Sequence, residues 1–205
     1  MTTVRTYGDG CGIAHALDLV GERWALLVVR ELLLGPLRFS DLRAGLPGAG
    51  PNVLSQRLRE LEAAGVIRRR TLPPPAAAKV YELTRHGAEL GPILTALGSW
   101  ALRSPSAPAG HLSAVSAVLT LQTRYRPSDW TAAVRLNLGD RSYCARISPD
   151  GIAVTADPEA GTDATVTTDP ATFVELVTGG REPAGADVGI DGDARVVRRL
   201  LAACR

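Results

Sequence analysis

One helical segment, running from about residue 52 to residue 64, constrains the fold of this chain more than any other feature. Pro51 precedes the segment and Gly65 follows it, and both residue types are typical of helix ends. Its leucines recur at helical spacing and form one apolar stripe, made of Leu54, Leu58 and Leu61. The opposite face carries Asn52, Gln56, Arg59 and Ala63, with Ser55 on its flank. This pattern predicts a helix that packs on a core and presents hydrogen-bonding side chains to solvent.

A projecting hairpin is predicted directly after this helix. Strand-like runs from Val66 to Leu72 and from Lys79 to Leu83 are joined by a Pro- and Ala-rich loop that is longer than a tight turn. Strand alternation sends Arg68 and Arg70 to one face of the first run and Arg69 to the other. Taken alone, these arginines are typical of a solvated run of charges. Beside a projecting loop they become candidates for contacts with phosphate groups.

Helical segments are predicted on both sides of this unit. Three of them precede it, and they span Ile13 to Val20, Arg23 to Leu34 and Ser40 to Leu46. After the hairpin, Thr84 can cap a long helix from Arg85 to about Arg103. A helix, a short turn, a second helix and a hairpin form, in this order, a winged helix-turn-helix, whose second helix enters the major groove of DNA. The order of elements therefore predicts a DNA-binding domain over residues 1–103.

A segment rich in Pro, Ser, Ala and Gly, residues 104–110, is the predicted linker between two domains. Residues 1–105 hold 13 Lys and Arg against 9 Asp and Glu, whereas residues 106–205 hold 10 against 12, so the first half is the better candidate for a polyanion. In the second domain, residues 111–205, helices are predicted at 112–123, 170–178 and 193–203, and strands at 131–138, 142–147, 152–156 and 164–168. The fold class is therefore α+β, with a mostly helical winged domain followed by an α+β domain.

Composition and motifs exclude several classes of protein. The 205 residues are 45% hydrophobic and 21% charged, as in ordinary globular proteins, and no apolar stretch reaches the ~20 residues of a membrane span. Three cysteines and the absence of a signal-peptide pattern favour a cytoplasmic location. His15, His86 and His111 are scattered, and the sequence shows no nucleophile with a matching base, metal cluster or phosphate loop. We therefore expect no enzyme, no metal and no cofactor.

Several short motifs of the first half follow one another as in a known family. They are Cys11, Gly-Glu-Arg-Trp at 21–24, Arg-Glu-Leu at 30–32, Gly-Pro-Leu-Arg-Phe-Ser-Asp-Leu at 35–42, Leu-Ser-Gln-Arg-Leu-Arg-Glu-Leu-Glu at 54–62, Gly65 and Tyr-Glu-Leu-Thr at 81–84. Over about residues 10–103 the chain resembles the HxlR family of bacterial-type winged-helix transcription regulators. The resemblance implies a homodimer on a pseudo-palindromic operator in double-stranded DNA. It also implies that the first and last helices of the domain build the dimer interface.

The resemblance implies roles for individual side chains. Base reading falls on the polar face of the predicted 52–64 helix, at Asn52, Ser55, Gln56 and Arg59, where Asn and Gln can pair with adenine and Arg with guanine. In the family pattern Arg38 contacts a phosphate while Phe39 packs inward. Arg57 lies near the apolar stripe and is either a phosphate contact or an intrachain partner. Together with the hairpin residues, the candidate phosphate contacts are Arg38, Arg57, Arg68, Arg70 and Lys79.

Some members of this family sense oxidants through a cysteine near the N-terminus, which implies a redox role for Cys11. Those members usually carry Cys-Pro, whereas Gly12 follows Cys11 here, so a thiol without a sensing role is the alternative. A metal pair formed by Cys11 and His15 would supply only two ligands, which do not make a site.

The second half resembles a sterol carrier protein-like domain. The motifs that carry this resemblance are Val-Arg-Leu-Asn-Leu at 134–138, the turn at 150–151, Ala-Thr-Val-Thr-Thr at 164–168, Phe-Val-Glu-Leu-Val-Thr-Gly at 173–179 and Ile-Asp-Gly-Asp at 190–193. It implies an apolar tunnel for a hydrophobic molecule, with candidate lining residues Trp130, Leu136, Leu138, Tyr143, Phe173, Leu176 and Val177. Each of these side chains is equally consistent with ordinary core, and the apolar surface could instead pair two copies of the chain.

Two hypotheses about function follow. The first is a dimeric DNA-binding transcription regulator that a small hydrophobic ligand in the C-terminal domain modulates, or one whose second domain is purely structural. The second is a lipid or metabolite carrier whose winged helix serves protein contacts.

Overall fold

In the computed structural model the described residues are 6–74, 77–105, 110–156 and 161–205. They form two compact units, Met1–Ser104 and Pro105–Arg205. Part of the predicted linker, residues 106–109, and the tip of the predicted hairpin loop, residues 75–76, lie outside the described residues. No helix among the described residues is long and apolar enough to cross a membrane.

The N-terminal unit is a set of helices with one two-stranded hairpin. Its elements are α1 (Gly12–Val20), α2 (Ala25–Leu32), α3 (Phe39–Gly45), α4 (Pro51–Ala63), β1 (Ile67–Thr71), β2 (Lys79–Leu83), α5 (Arg85–Ala88) and α6 (Leu90–Ala101). The strands are antiparallel, with Ile67 opposite Leu83 and Thr71 opposite Lys79. This is the arrangement of a helix-turn-helix, formed by α3 and α4, followed by a β1–β2 wing.

The predicted long helix from Arg85 to Arg103 is wrong, because the structure breaks it between α5 and α6. Glu89 separates the two helices. Pro92 has no N–H with which to bond the carbonyl of Ala88, and its ring would clash with that carbonyl in a continuous helix. The break therefore follows from one proline near the start of α6.

The start of α2 also differs from the prediction, which began the helix at Arg23. Trp24 has φ of 78°, a left-handed conformation that a helix interior does not accept, so α2 begins at Ala25. The Trp24 ring packs against Gly48, where an added Cβ would lie 2.8 Å from the ring. This contact holds the turn between α3 and α4 against the start of α2.

Thr84 joins three elements of the N-terminal unit at the base of the wing. Its hydroxyl accepts the N–H of Gly87 at 3.0 Å, which caps α5, and it lies 2.7 Å from the carbonyl of Gly65, to which it donates. Its backbone N–H donates to the carbonyl of Val66 at 3.0 Å. Gly87 packs so closely on that carbonyl that a Cβ would overlap it. The end of α4, the start of the wing and α5 are thus fixed at one point.

The C-terminal unit is a mixed sheet with helices. Its elements are α7 (Ala114–Arg124), β3 (Ala132–Leu138), β4 (Arg141–Ser148), β5 (Gly151–Thr155), β6 (Ala164–Thr168), α8 (Pro170–Thr178), β7 (Gly189–Gly192) and α9 (Ala194–Ala202). The strand order is β5-β4-β3-β6-β7, with β3 and β6 parallel and the other pairs antiparallel. Strand β7 was not among the predicted strands. An α+β fold is confirmed for the chain.

The predicted pocket residues all lie in the interior of the C-terminal unit. On β3 the buried side chains alternate with partly exposed ones, and Leu136 and Leu138 are among the buried ones. The group is at most 8% exposed and comprises Trp130, Leu136, Leu138, Tyr143, Phe173, Leu176 and Val177. Burial is what a lining residue and a core residue have in common, so it does not separate these two predictions.

Candidate nucleic-acid interface

Helix α4 is oriented by its apolar stripe and by its first residue. Leu54, Leu58 and Leu61 are at most 1% exposed and belong to the core of the N-terminal unit. Pro51 occupies the first helical position, where its fixed φ suits the helix and its missing N–H costs no hydrogen bond. The stripe therefore turns the other face of α4 away from the core.

Two of the four predicted base-reading side chains are exposed to solvent. Asn52 and Arg59 are exposed, and neither has a hydrogen bond or ion pair within the part of the chain that the structure describes. They lie seven residues apart, which is about 10 Å along the helix axis and close to the length of three base pairs. Ser55 and Gln56 are partly buried, and Gln56 Nε2 donates to Glu60 Oε1 at 2.9 Å. The four side chains share one side of α4, and Gln56 already has an intrachain partner.

Arg57 points in the other direction. Its side chain is 9% exposed, and its Nη1 forms an ion pair with Glu60 and lies 3.4 Å from Glu22 Oε2. Of the two roles that the sequence left open, this geometry is that of an intrachain partner, because a guanidinium so buried offers little surface to a phosphate. Arg57 links α4 to the loop before α2.

The wing arginines are paired with carboxylates of their own chain. Arg68 Nε lies 2.7 Å from one carboxylate oxygen of Glu82 and Arg70 Nε lies 2.9 Å from the other. Arg69 is on the opposite face, 3.0 Å from Glu62, with its guanidinium 5.4 Å from the centre of the Tyr81 ring. Glu82 is thus shared by two arginines, which leaves that face of the wing with a net positive charge.

Neutralising Glu82 tests how much this sharing reduces the attraction of the wing for a polyanion. We expect Glu82→Gln to bind random-sequence DNA more tightly. If the freed arginines make one further phosphate contact, the slope of log K against log salt becomes steeper by about 0.9. Glu82 is only 13% exposed, but glutamine keeps the size of its side chain and the two arginines that it leaves are in solvent, so the fold is expected to survive. Fluorescence anisotropy at several salt concentrations measures the slope. Weaker binding by the variant would mean that Glu82 helps by holding the arginines in place.

The other two phosphate candidates are also exposed. Arg38 precedes α3, where its backbone N–H donates to Asp41 at 3.1 Å and leaves its side chain at the surface. Phe39 is partly buried and packs against the core. Lys79 begins β2 opposite Thr71 and is exposed. The structure thus brings these residues to the surface of the same unit as α4.

An exposed apolar surface lies on the first and last helices of the N-terminal unit. Among the residues of α6, all of which the structure describes, none is buried, although the helix is rich in Leu, Ile and Trp. The large exposed apolar side chains of α1 and α6, which we call the apolar helix face, are Ile13, Leu17, Ile93, Leu97 and Trp100. Leu90 and Leu94 pack against the core and hold α6 in place. Helical periodicity alone indicated one apolar side of this segment and did not show that Ile93, Leu97 and Trp100 are exposed.

Cys11 caps the first turn of α1. The backbone N–H groups of Ala14 and Ile13 lower the pKa of its thiol below the ordinary value, and the thiol is exposed. Cys144 and Cys204 are buried, and burial raises the pKa of Cys204 to about 11, although the positive charge of Arg124 opposes the rise. Among the described residues no group of three or more His, Cys, Asp or Glu side chains is placed to hold a metal ion.

Comparisons with known proteins match the N-terminal half. A family model described as HxlR-like helix-turn-helix matches residues 19–107. The chain is 43% identical over 86 residues to the uncharacterized HTH-type transcriptional regulator YvaP of Bacillus subtilis, a match that covers 42% of this chain and 80% of YvaP. It is 33% identical over 86 residues to the HTH-type transcriptional regulator YodB of the same organism, and this match covers 42% of this chain and 77% of YodB.

Among solved structures, the reduced form of YodB from B. subtilis matches with 29% identity and a TM-score of 0.43, and the match covers 48% of this chain and 98% of that one. The match to YvaP covers most of that relative's length, and the α3–α4 and wing arrangement described above is itself a winged helix-turn-helix. This chain therefore belongs to the HxlR-like helix-turn-helix family and is a DNA-binding transcription regulator.

Proposed function

We propose that the protein binds a pseudo-palindromic operator as a homodimer, with α4 of each copy in the major groove. The observation that carries this proposal is the outer face of α4, where Asn52 and Arg59 are exposed and without intrachain partners while the leucine stripe anchors the helix. In this proposal Asn52, Ser55, Gln56 and Arg59 read base edges. Gln56 would exchange its bond to Glu60 for a base when DNA is bound.

Contacts with phosphates would supply the part of the affinity that is independent of sequence. We assign them to Arg38, Arg68, Arg70 and Lys79, which are exposed. Arg57 is left out because of its burial between Glu22 and Glu60. The guanidinium groups of the wing are suited to bidentate contacts with phosphate oxygens.

A gel-shift or fluorescence assay with the DNA upstream of the protein's own gene, repeated at rising salt, tests this function. Specific binding that weakens steeply with salt is expected, because phosphate contacts release counterions. Absence of DNA binding even at low salt would favour the alternative, a lipid or metabolite carrier whose winged helix contacts proteins. That alternative draws its support from the apolar side chains that fill the C-terminal unit.

The apolar helix face supports the dimer. Trp100 is 67% exposed and Ile93 59%, and together with Ile13 of α1 they place large apolar side chains in water on a single unit. Burying this face against the same face of a second copy gives a closed, two-fold symmetric pair. Such a pair carries two copies of α4, which matches the two halves of a palindrome.

For the C-terminal unit we propose a sterol carrier protein-like domain that holds a small hydrophobic ligand and modulates DNA binding. The support is the run of buried apolar and aromatic side chains at the positions named above, which are equally suited to a closed core. Native mass spectrometry of the purified full chain tests it. A retained small molecule supports a ligand site. If the full chain carries no bound molecule and a chain without residues 111–205 still regulates normally, the C-terminal unit has a structural role only.

Cys11 is proposed as a reactive thiol. Because its pKa is lowered, a larger fraction is thiolate at neutral pH, so the pH midpoint of its alkylation rate is expected below that of the same chain unfolded in urea. The buried Cys144 and Cys204 should react slowly, and Cys11→Ser should remove the fast phase alone. A midpoint in the folded chain equal to that of the unfolded chain would count against a sensing role.

A further inference from the structure

The C-terminal unit carries a concentrated positive surface although its overall charge is negative. Five of the ten basic residues in residues 106–205 occur at the end of α7 and on α9, and we call them the arginine patch: Arg124, Arg126, Arg195, Arg198 and Arg199. All five are exposed. The function described so far uses none of them.

The fold brings the patch together from two parts of the chain. The backbone N–H of Arg126, two residues beyond α7, donates to the carbonyl of Ala203 at the end of α9 at 2.8 Å. Arg124 lies close enough to the buried Cys204 to affect its ionisation. The C-terminal ends of α7 and α9 therefore lie side by side, which brings Arg124 and Arg126 to the end of the helix that carries Arg198 and Arg199, while Arg195 lies in the first turn of α9.

Helix α9 presents its arginines on one face. Its buried side chains are Val197, Leu200 and Leu201, which recur at helical spacing. At about 100° per residue, Arg195, Arg198 and Arg199 point away from this stripe. The arginines are thus directed to solvent by the packing of the helix, and the side chain of Arg195 is 88% exposed.

The charges of the patch are only partly compensated. Arg195 lies 3.7 Å from Asp193, both at the surface, and Arg199 is held by the ring of Trp130, 4.6 Å away, and by the carbonyl of Asp129. Among the residues that the structure describes, Arg124, Arg126 and Arg198 form no ion pair. The dipole of α9 favours a cation such as Arg199 in its last turn and disfavours Arg195 in its first, so it does not account for the whole patch.

We propose that the arginine patch is a second DNA-contacting surface, which binds the phosphate backbone of duplex DNA outside the operator bases that α4 reads. Arginine fits this partner because its planar guanidinium makes bidentate contacts with phosphate oxygens. Duplex DNA is also available to the patch. Once α4 has bound, the covalent connection between the two units keeps the patch at a high effective concentration relative to the same duplex. In this role the arginines bind phosphates and contribute affinity without sequence preference.

The test compares two triple variants of the full chain with equal loss of charge. The patch variant is Arg126→Gln, Arg195→Gln and Arg198→Gln, which spares Arg199 because of its packing on Trp130. The control is Arg146→Gln, Arg181→Gln and Arg205→Gln, in which Arg181 and Arg205 are already paired with Asp187 and Glu182. Binding of a fluorescein-labelled random-sequence duplex is measured by anisotropy at several salt concentrations, and circular dichroism checks that both variants are folded.

We expect the patch variant to lose about 2 to 3 from the slope of log K against log salt and about tenfold or more in affinity near 0.1 M salt, since each lost phosphate contact changes the slope by about 0.9. The control should resemble the unmodified chain. Replacing the same three patch residues by lysine should restore the slope, because the charge returns. Equal behaviour of patch variant and control would overturn the proposal, and so would a loss seen only with vesicles containing phosphatidylserine and not with DNA.

The inference rests on DNA binding by the N-terminal unit. If the unmodified chain bound no DNA, that basis itself would fail. If the unmodified chain bound DNA normally and the patch variant showed the same salt dependence, only the proposal for the arginine patch would be overturned.

Discussion

A chain in which Ile93 and Trp100 are both replaced by aspartate is expected to be monomeric, with a solution mass near 21.6 kDa instead of twice that value. The two side chains are the most exposed apolar residues of α6, and placing two carboxylates in a dimer contact would bury unpaired charge. Because the copies then bind their half-sites separately, operator affinity should fall by about a hundredfold or more. Light scattering after gel filtration measures the mass, and anisotropy measures the affinity.

The control for this variant lies on the same helix. Thr95 is exposed on the opposite side of α6, so Thr95→Asp adds a charge without touching the apolar helix face. It should stay dimeric and bind the operator normally. If the double variant also remained a dimer, the apolar helix face would not be the main interface, and the C-terminal unit would become the candidate.

Replacing Arg59 by alanine should reduce operator affinity about 10- to 100-fold while changing the affinity for random DNA much less. This range corresponds to about 1–3 kcal/mol, the discrimination that one bidentate contact with a base provides. Arg59 is exposed and has no ion pair among the described residues, so its removal breaks no intrachain contact. Competition titrations with operator and random duplexes give the two affinities side by side.

Lysine at the same position separates base reading from simple charge. Arg59→Lys keeps the positive charge and loses the planar fork, so it should resemble alanine on the operator and the unmodified chain on random DNA. Equal losses on both duplexes for Arg59→Ala would mean that Arg59 contacts a phosphate.

Helix positions could be predicted best where capping residues mark the boundary. The bounds of α8 match the prediction, because Asp169 accepts the N–H groups of Ala171 and Thr172, Pro170 opens the helix and Gly179 ends it in a left-handed conformation. Strand β7 was missed because its sequence, Gly-Ile-Asp-Gly, has little strand propensity, and it is a strand only through its pairing with β6. Capping residues in the sequence are enough to predict the bounds of a helix such as α8, whereas a strand such as β7 that depends on pairing with a distant strand cannot be predicted from its own residues.

The candidate site shows the same division. Periodicity was enough to place Asn52 and Arg59 outward and the leucines inward, because both depend only on the geometry of one helix. The sharing of Glu82 by Arg68 and Arg70 depends on the register of β1 and β2, which the sequence did not supply. The burial of Arg57 depends on Glu22, which is distant in sequence and belongs to another part of the fold.

Thr84 connects the helix proposed to read DNA with the helix proposed to pair two copies of the chain. Its hydroxyl donates to the carbonyl of Gly65, just beyond the end of α4, and caps α5, which precedes α6. The proposed DNA-reading helix and the proposed pairing helix are therefore connected through one residue. A change in the packing of two copies through α6 would then alter the spacing between their two α4 helices. In the proposed dimer, Thr84 would therefore influence the spacing of the two copies of α4 although it belongs to neither of the two proposed contact surfaces.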